Sequence, residues 1–164
     1  MSSLADRPAL IFERVEAQQL DDVMAIMATA FSTEYGEAWT RSQCAGILPM
    51  SGVVLTVARD PVSREAQGFA LLRTVADEAE LLLIAVAPIA QHRGVGRALL
   101  AFFVDHSQRN GATRLHLEVR DGNLAARMYN AAGFQIEGRR RDYYRGSDGR
   151  HFDALTLVWQ SSQV

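Results

Sequence analysis

Lysine is absent from this chain, and all 17 basic residues are arginine. The absence excludes a P-loop, whose lysine reaches the phosphates, and with it Schiff-base, pyridoxal and lysine-nucleophile chemistry. Cysteine occurs once, at Cys44. No intramolecular disulfide can form, and a reducing compartment is expected. Long apolar runs are also missing. The longest, Leu81 to Ala90, is too short to span a bilayer and is broken by Pro88. Met1 to Pro8 contains no apolar signal core. His92, His106, His116 and His151 lack the short spacings of a zinc site, so no metal is expected. Charge of neither sign dominates: the net charge is −2. That argues against membrane or general nucleic-acid binding, although Arg139-Arg140-Arg141, Arg145 and Arg150 could form a local basic patch. These exclusions leave a cytoplasmic protein as the expectation.

What is present suits one globular domain over residues 1–164, since 48% of the residues are hydrophobic and no repeat or linker divides the chain. Leu10 to Val15 reads as a strand, and Ala17 to Phe31 shows helical spacing. Thr40 is placed to cap a second helix ending near Leu48. A meander follows through Val53 to Arg59, Gly68 to Arg73 and Glu80 to Val86. The last of these is apolar almost throughout, as in a strand covered on both faces. Val95, Ala98, Leu99, Phe102, Phe103 and His106 make one face of a helix that Asn110-Gly111 ends. Ala112 to Val119 alternates, with Glu118 on its polar face. Strand, helix and strand at these lengths make a right-handed parallel crossover. A short helix from about Asn123 to Ala132 and a hairpin, Phe134 to Tyr144 with His151 to Trp159, complete the chain.

The crossover contains Gln91-His92-Arg93-Gly94-Val95-Gly96-Arg97. Two glycines two apart can aim several N–H groups into one concavity at a helix start, where a pyrophosphate binds. An ordinary strand-to-helix turn has the same pattern. A dinucleotide fingerprint is excluded, because its third small residue is replaced by Leu99. Glu118 reads either as a general base or as a strand glutamate paired with Arg114 or Arg120. Tyr129 reads as a general acid or as packing beside Leu124 and Met128, and Asn123 as a helix N-cap.

The segments IAVAPIAQHRGVGRALL, LEVRDGNLAARMYNAAGF and RRRDYYRGSDGRHFDALTL resemble the GNAT acetyltransferase superfamily. Within it they resemble the bacterial RimI group, which acetylates the N-terminal alanine of a small-subunit ribosomal protein. The resemblance is close from about Glu80 to Leu157. It implies an α/β (α+β) GNAT domain with a mixed, mostly antiparallel sheet of about seven strands and helices on both faces. Acetyl-CoA would be the co-substrate. Ile84, Ala85 and Val86 would pair with pantetheine, the Val86 N–H polarising the thioester carbonyl. His92, Arg93, Gly94, Val95, Gly96 and Arg97 would hold the pyrophosphate, and Asn123 the CoA arm. Glu118 would accept the amine proton and Tyr129 would protonate the leaving thiolate. Tyr143 and Tyr144 would line a peptide cleft with Trp39, from the Phe31 to Trp39 stretch that also resembles the family. Regular alternation would turn only one of the two tyrosines inward. The chain departs from the group at Arg145, where proline is common, and at His92, where arginine is.

An α-amine suits such a site. Its pKa near ~8 leaves roughly a tenth neutral at pH 7, which asks about 3 kcal/mol less of a base than a lysine amine does. The expected partner is a protein or peptide N-terminus, probed by a monomer or weak homodimer, without direct nucleic-acid contact. A small-amine acetyltransferase, a non-catalytic acyl-CoA sensor and an RNA-binding module using Arg139 to Arg150 are the competing readings.

Overall fold

The computed structural model describes residues 9–161, so the reading of Met1 to Pro8 falls outside the described residues. An antiparallel run comprises β1 (Ile11–Arg14), β2 (Val53–Arg59), β3 (Ala66–Val75) and β4 (Glu78–Val86). β4 lies parallel to β5 (Arg114–Arg120). Antiparallel pairs then join β5 to β7 (His151–Gln160) and β7 to β6 (Gln135–Arg145). The result is one seven-stranded sheet, ordered β1-β2-β3-β4-β5-β7-β6. Four α-helices accompany it: α1 (Asp21–Ala30), α2 (Arg41–Ile47), α3 (Val95–Arg109) and α4 (Ala126–Ala131). This is the α+β architecture the resemblance implied, with β4-α3-β5 as its parallel crossover.

Two apolar layers sandwich the sheet. On one face Leu99, Leu100 and Phe103 of α3 bury against Leu81, Leu115, Leu117 and Val119. On the other, Val23, Ile26 and Met27 of α1 and Cys44 of α2 bury against Leu55, Val57, Phe69, Leu71, Leu83 and Ala85. Each large side chain so removed from water contributes about 1.5–3 kcal/mol.

The helix signals mostly hold. Thr40 and Gln43 form a reciprocal capping box on α2: Thr40 Oγ1 accepts from the Gln43 N–H at 3.1 Å, and Gln43 Oε1 accepts from the Thr40 N–H at 2.8 Å. The chain leaves α3 through Asn110 and a left-handed Gly111, with the Ala112 N–H returning to the Ser107 carbonyl at 2.9 Å. The helix expected from Ala17 to Phe31 divides instead. Gln19 Oε1 accepts from the Glu16 N–H and closes a 3-10 turn over Ala17–Gln19, and α1 starts afresh at Asp21.

A β-bulge opens the sheet. Leu71 pairs with Leu83 and Leu72 with Leu81, leaving Leu82 without a partner on β3. On its other side β4 stays paired to β5 only from Glu78↔Arg114 to Leu81↔Leu117. Past Leu81 the parallel strands separate, while β5 continues against β7 as far as Arg120. The bulge also turns Leu81 into the α3 layer and Leu83 into the α1–α2 layer.

Candidate active site

The cavity at this opening measures about 140 Å³ and lies between β4, β5, α4, the α1–α2 loop and the end of β6. Seven of the residues expected in a site line it: Trp39, Ile84, Glu118, Asn123, Tyr129, Tyr143 and Tyr144. Ala85 turns its side chain into the core. Val86 and residues His92 to Arg97 lie outside the cavity, at the end of β4, in the adjoining loop and in the first turn of α3.

Glu118 is placed by the β5–β7 register, which sets it opposite Thr156. Thr156 Oγ1 donates to Glu118 Oε2 at 2.8 Å, and Arg140 Nη1 stands 3.7 Å from Oε1. Neither Arg114 nor Arg120 pairs with it. Arg114 reaches Glu78 and Glu137, and Arg120 reaches Glu37.

Tyr129 is held by the end of α4, where the Phe134 N–H bonds the Tyr129 carbonyl at 3.1 Å and the left-handed Gly133 donates to Asn130. Its ring is buried and meets Phe134 edge-on. Burial pushes the phenol pKa well above its ordinary value, and the charge of Glu37 adds to this, so the proton stays on oxygen. Burial, then Glu37 and the neighbouring Tyr143, Glu118 and Tyr129, act likewise on Tyr144.

Two expectations need correction. Tyr143 and Tyr144 both line the cavity, because β6 bulges between Arg140 and Tyr144 with Asp142 in the left-handed region. The two rings meet edge to face at 4.9 Å. Asn123 does not cap α4, whose N-cap is Ala125. It closes a preceding turn, Oδ1 accepting from the Ala125 N–H at 2.9 Å, while Nδ2 donates to Glu37 Oε2 at 3.1 Å.

Glu37 was not singled out by sequence reasoning, nor was Glu80, and both line the cavity. Glu37 accepts from Arg120 Nε at 3.1 Å, and the Arg120 guanidinium stacks 3.6 Å above the Tyr35 ring. The loop carrying them is pinned to the β6–β7 turn. The Ser147 N–H donates to the Thr33 carbonyl at 3.1 Å, Arg150 pairs with Glu34, and Tyr35 meets Phe152 edge-on. A Cβ on Gly36 would collide with the Arg145 carbonyl, and one on Gly146 with that of Glu34. The only sequence signal was an acid-rich Ser-Thr-Glu-Tyr-Gly-Glu loop.

The glycine loop has the geometry of an anion cradle. Gly94 heads α3 at φ +85°, a conformation L side chains avoid, and a Cβ there would point into open space. The first helical bond runs from the Ala98 N–H to the Gly94 carbonyl. The N–H groups of Val95, Gly96 and Arg97 precede it and are the first-turn donors of a long helix. Gly96 serves packing, since a Cβ would stand 3.3 Å from Met128 Sδ. Gln91 Nε2 donates to the Val86 carbonyl at 3.3 Å and ties the loop to the strand end. These donors fit a CoA pyrophosphate, and the β4 edge left unpaired past Leu81 fits an extended amide chain.

A mixed sheet opened between the parallel strands β4 and β5, with a glycine loop beside the opening, is the fold of an acyltransferase. The chain matches the acetyltransferase (GNAT) family over residues 20–134 and belongs to that family. It is 44% identical over 91 residues to the [ribosomal protein bS18]-alanine N-acetyltransferase of Escherichia coli K12, covering 55% of this chain and 61% of that protein. It is 43% identical over 86 residues to the N-alpha-acetyltransferase RimI of Mycobacterium tuberculosis, covering 52% of this chain and 51% of that protein. The match therefore spans less than two thirds of these relatives' length. In three dimensions the chain is similar to the crystal structure of the Escherichia coli ribosomal-protein-S18-alanine N-acetyltransferase, with TM-score 0.82, 29% identity and coverage of 94% and 96%. Arabidopsis thaliana NAA60 in complex with acetyl-CoA shares the fold at TM-score 0.79 and 19% identity, covering 93% and 98%. Among the described residues, no helix is long and apolar enough to cross a membrane, and no cluster of His, Cys, Asp and Glu could hold a metal.

Proposed function

We propose that this chain is an acetyl-CoA-dependent N-acetyltransferase of peptide α-amines. The favoured substrate is the N-terminal alanine of a small-subunit ribosomal protein, modified in the cytoplasm by a monomer or weak homodimer. The observation that carries the reading is the meeting of Glu118 and Tyr129 in one cavity at the parting of β4 and β5. The relatives named above support the substrate.

Acetyl-CoA, when bound, supplies an acetyl group activated as a thioester. The first-turn N–H groups of α3 hold its pyrophosphate, with Arg93 and Arg97 adding charge. The Ile84 to Val86 backbone aligns the acyl arm, and the Val86 N–H stabilises charge developing on the carbonyl oxygen. Glu118 accepts a proton from the amine, directly or through a water, while Thr156 fixes the carboxylate. Tyr129 keeps its proton until the thiolate leaves, then gives it up. Tyr143, Tyr144 and Trp39 flank the incoming chain. The pinned α1–α2 loop and hairpin close one side of the cavity, which favours entry by a chain end.

A polyamine substrate is the second reading, favoured by three carboxylates on the cavity, Glu37, Glu80 and Glu118. All three already face cations: Glu37 meets Arg120, Glu118 meets Arg140, and Glu80 meets His116 when that ring is protonated. Mass spectrometry of mixtures with acetyl-CoA tests the choice, using an Ala-starting peptide, its N-terminally blocked lysine-containing analogue and spermidine. The Ala peptide should be modified fastest, with equimolar thiol released. Faster turnover of either competitor removes the α-amine reading, and no thiol release with any of them leaves a non-catalytic acyl-CoA binder.

A further inference from the structure

Acetylating an α-amine leaves one proton over. At pH 7 the amine arrives mostly as an ammonium with three protons, since its pKa is near ~8. As the N–C bond forms and the C–S bond breaks, the amide nitrogen keeps one proton and the departing sulfur takes one from Tyr129, which is reprotonated by the second proton lost from nitrogen. The third must reach solvent in every turnover. Glu118, which accepts it in the reading above, has only 13% of its side chain exposed. Its immediate neighbours cannot take the proton onward. Arg140 presents only donors, Thr156 is donating to the carboxylate, and the Tyr129 and Tyr144 phenols hold their own protons.

One file of polar side chains leads away. His116 is two residues from Glu118 on the same face of β5, and its register partner across the parallel pair is Glu80. Glu80 and Glu118 both line the cavity, one on each of the parting strands. His116 Nε2 stands 3.7 Å from Glu80 Oε2, and His116 Nδ1 is buried with no hydrogen-bond partner. One step outward, Arg114 bridges Glu78 at 3.2 Å and Glu137 at 3.1 Å. Side-chain exposure rises outward along each strand, from 13% at Glu118 to 26% at His116 and 31% at Arg114 on β5, and from 37% at Glu80 to 52% at Glu78 on β4.

We propose that the Glu80–His116 pair is the relay that carries the proton from Glu118 to solvent, with His116 as its titrating member. The proposal rests on the reading of Glu118 as the base. In each turnover a water-bridged transfer protonates the imidazole and returns Glu118 to carboxylate, and His116 then releases the proton toward bulk water. Imidazole is suited to this because it titrates near neutrality. The Glu80 hydrogen bond raises its pKa against the cost of burial, Glu78 adds to the rise, and Arg114 opposes it. β6 contributes Glu137, held by Arg114, and β7 contributes the uncharged Val158 and Thr156 opposite His116 and Glu118.

The test is turnover of an Ala-starting peptide by the full chain and by His116→Gln and Glu80→Gln, at pH 7 and low buffer, with and without added imidazole. Both variants should keep the KM for acetyl-CoA and for peptide within about twofold of the parent and lose roughly tenfold or more in kcat, at the lower end of the scale for proton transfer by a side chain. Imidazole or higher pH should restore the loss, and the parent enzyme should not respond to imidazole. Unchanged kcat in either variant overturns the relay, as does a loss that imidazole does not relieve or a defect confined to KM. Glu80→Gln covers the case in which His116→Gln fails to fold. Glu118→Gln in the same assay separates the two claims: wild-type turnover there overturns the base itself. An inactive Glu118→Gln beside an unaffected His116→Gln overturns only the relay.

Discussion

Arg120 donates from Nε to Glu37 Oε1 at 3.1 Å, and each side chain is only 12% exposed. The pair joins the α1–α2 loop to the end of β5, and through Asn123 to the turn before α4. Glu37→Ala would strand a desolvated guanidinium over Tyr35. The expected loss is about 3 kcal/mol of unfolding free energy, because a buried charge is left without its partner. Arg120→Met on that background should recover much of it. Urea unfolding of the single and double variants checks both outcomes, and additive losses would show that the two residues do not interact.

Gly94→Val should weaken acetyl-CoA binding and leave the fold largely in place. The substitution forces a β-branched residue to φ +85° and puts its bulk where the cradle is open. Titration calorimetry of the folded variant is the measurement. Undiminished affinity would remove the loop from the cofactor site.

Tyr129→Phe should bind acetyl-CoA normally and lose about 10²–10⁴-fold in kcat, the scale for a positioned acid. Glu118→Gln keeps its shape but cannot accept a proton, so its deficit should be greatest at low pH. Raising the pH toward the amine pKa of ~8 should recover part of it. Full pH–rate profiles distinguish the two roles, and parallel profiles would argue that both residues act on the same proton.

Tyr144→Ala should raise the peptide KM more than that of acetyl-CoA. The Tyr144 hydroxyl lies 3.5 Å from the Glu118 carbonyl, so the ring reaches from β6 across the cavity to the strand that carries the base. Steady-state kinetics with each substrate varied in turn decides the point. An equal effect on both constants would assign the tyrosine to the scaffold.

His116 gives a pH signature in stability. Its folded pKa is raised above the unfolded value, chiefly by the Glu80 hydrogen bond. The contribution is therefore complete below the unfolded pKa of ~6.5 and disappears as pH rises through the folded one. The stability difference between wild type and His116→Gln should hold steady below about pH 6.5 and shrink as the pH rises above it, as chemical denaturation at fixed ionic strength would show. A difference that grew with pH would mean the ring is held neutral.

Much of this was legible in the residues. Strand β2 at Val53–Arg59, the start of α3 at Val95 and the Thr40 cap follow from periodicity and capping chemistry. The two bulges do not. In Leu81-Leu82-Leu83 nothing in composition marks which leucine goes unpaired, and only the register against β3 decides it. The insertion at Asp142 is set by its N–H reaching Asp153 Oδ1 across the hairpin, which defeats simple alternation at Tyr143 and Tyr144. The cavity residues recognised in advance sit on regular elements or in family-like motifs. Glu37 was missed because its role depends on Arg120, 83 residues away, and on a loop with no period of its own.

Strand β7 does not sit at the sheet edge, although it follows β6 in sequence. β7 is wedged between β5 and β6, so β6 has no sheet partner until β7 has been made. The turn joining them is also what the early loop at Thr33 and Glu34 docks onto. Without β6 and β7 the crossover could still close around the anion cradle, yet the strand bearing Glu118 would keep an open edge and the cleft no far wall. Competence therefore waits on the pairing of β7 with both of its neighbours. The slow, non-local closure this demands should make the β6–β7 hairpin the step at which folding and aggregation compete.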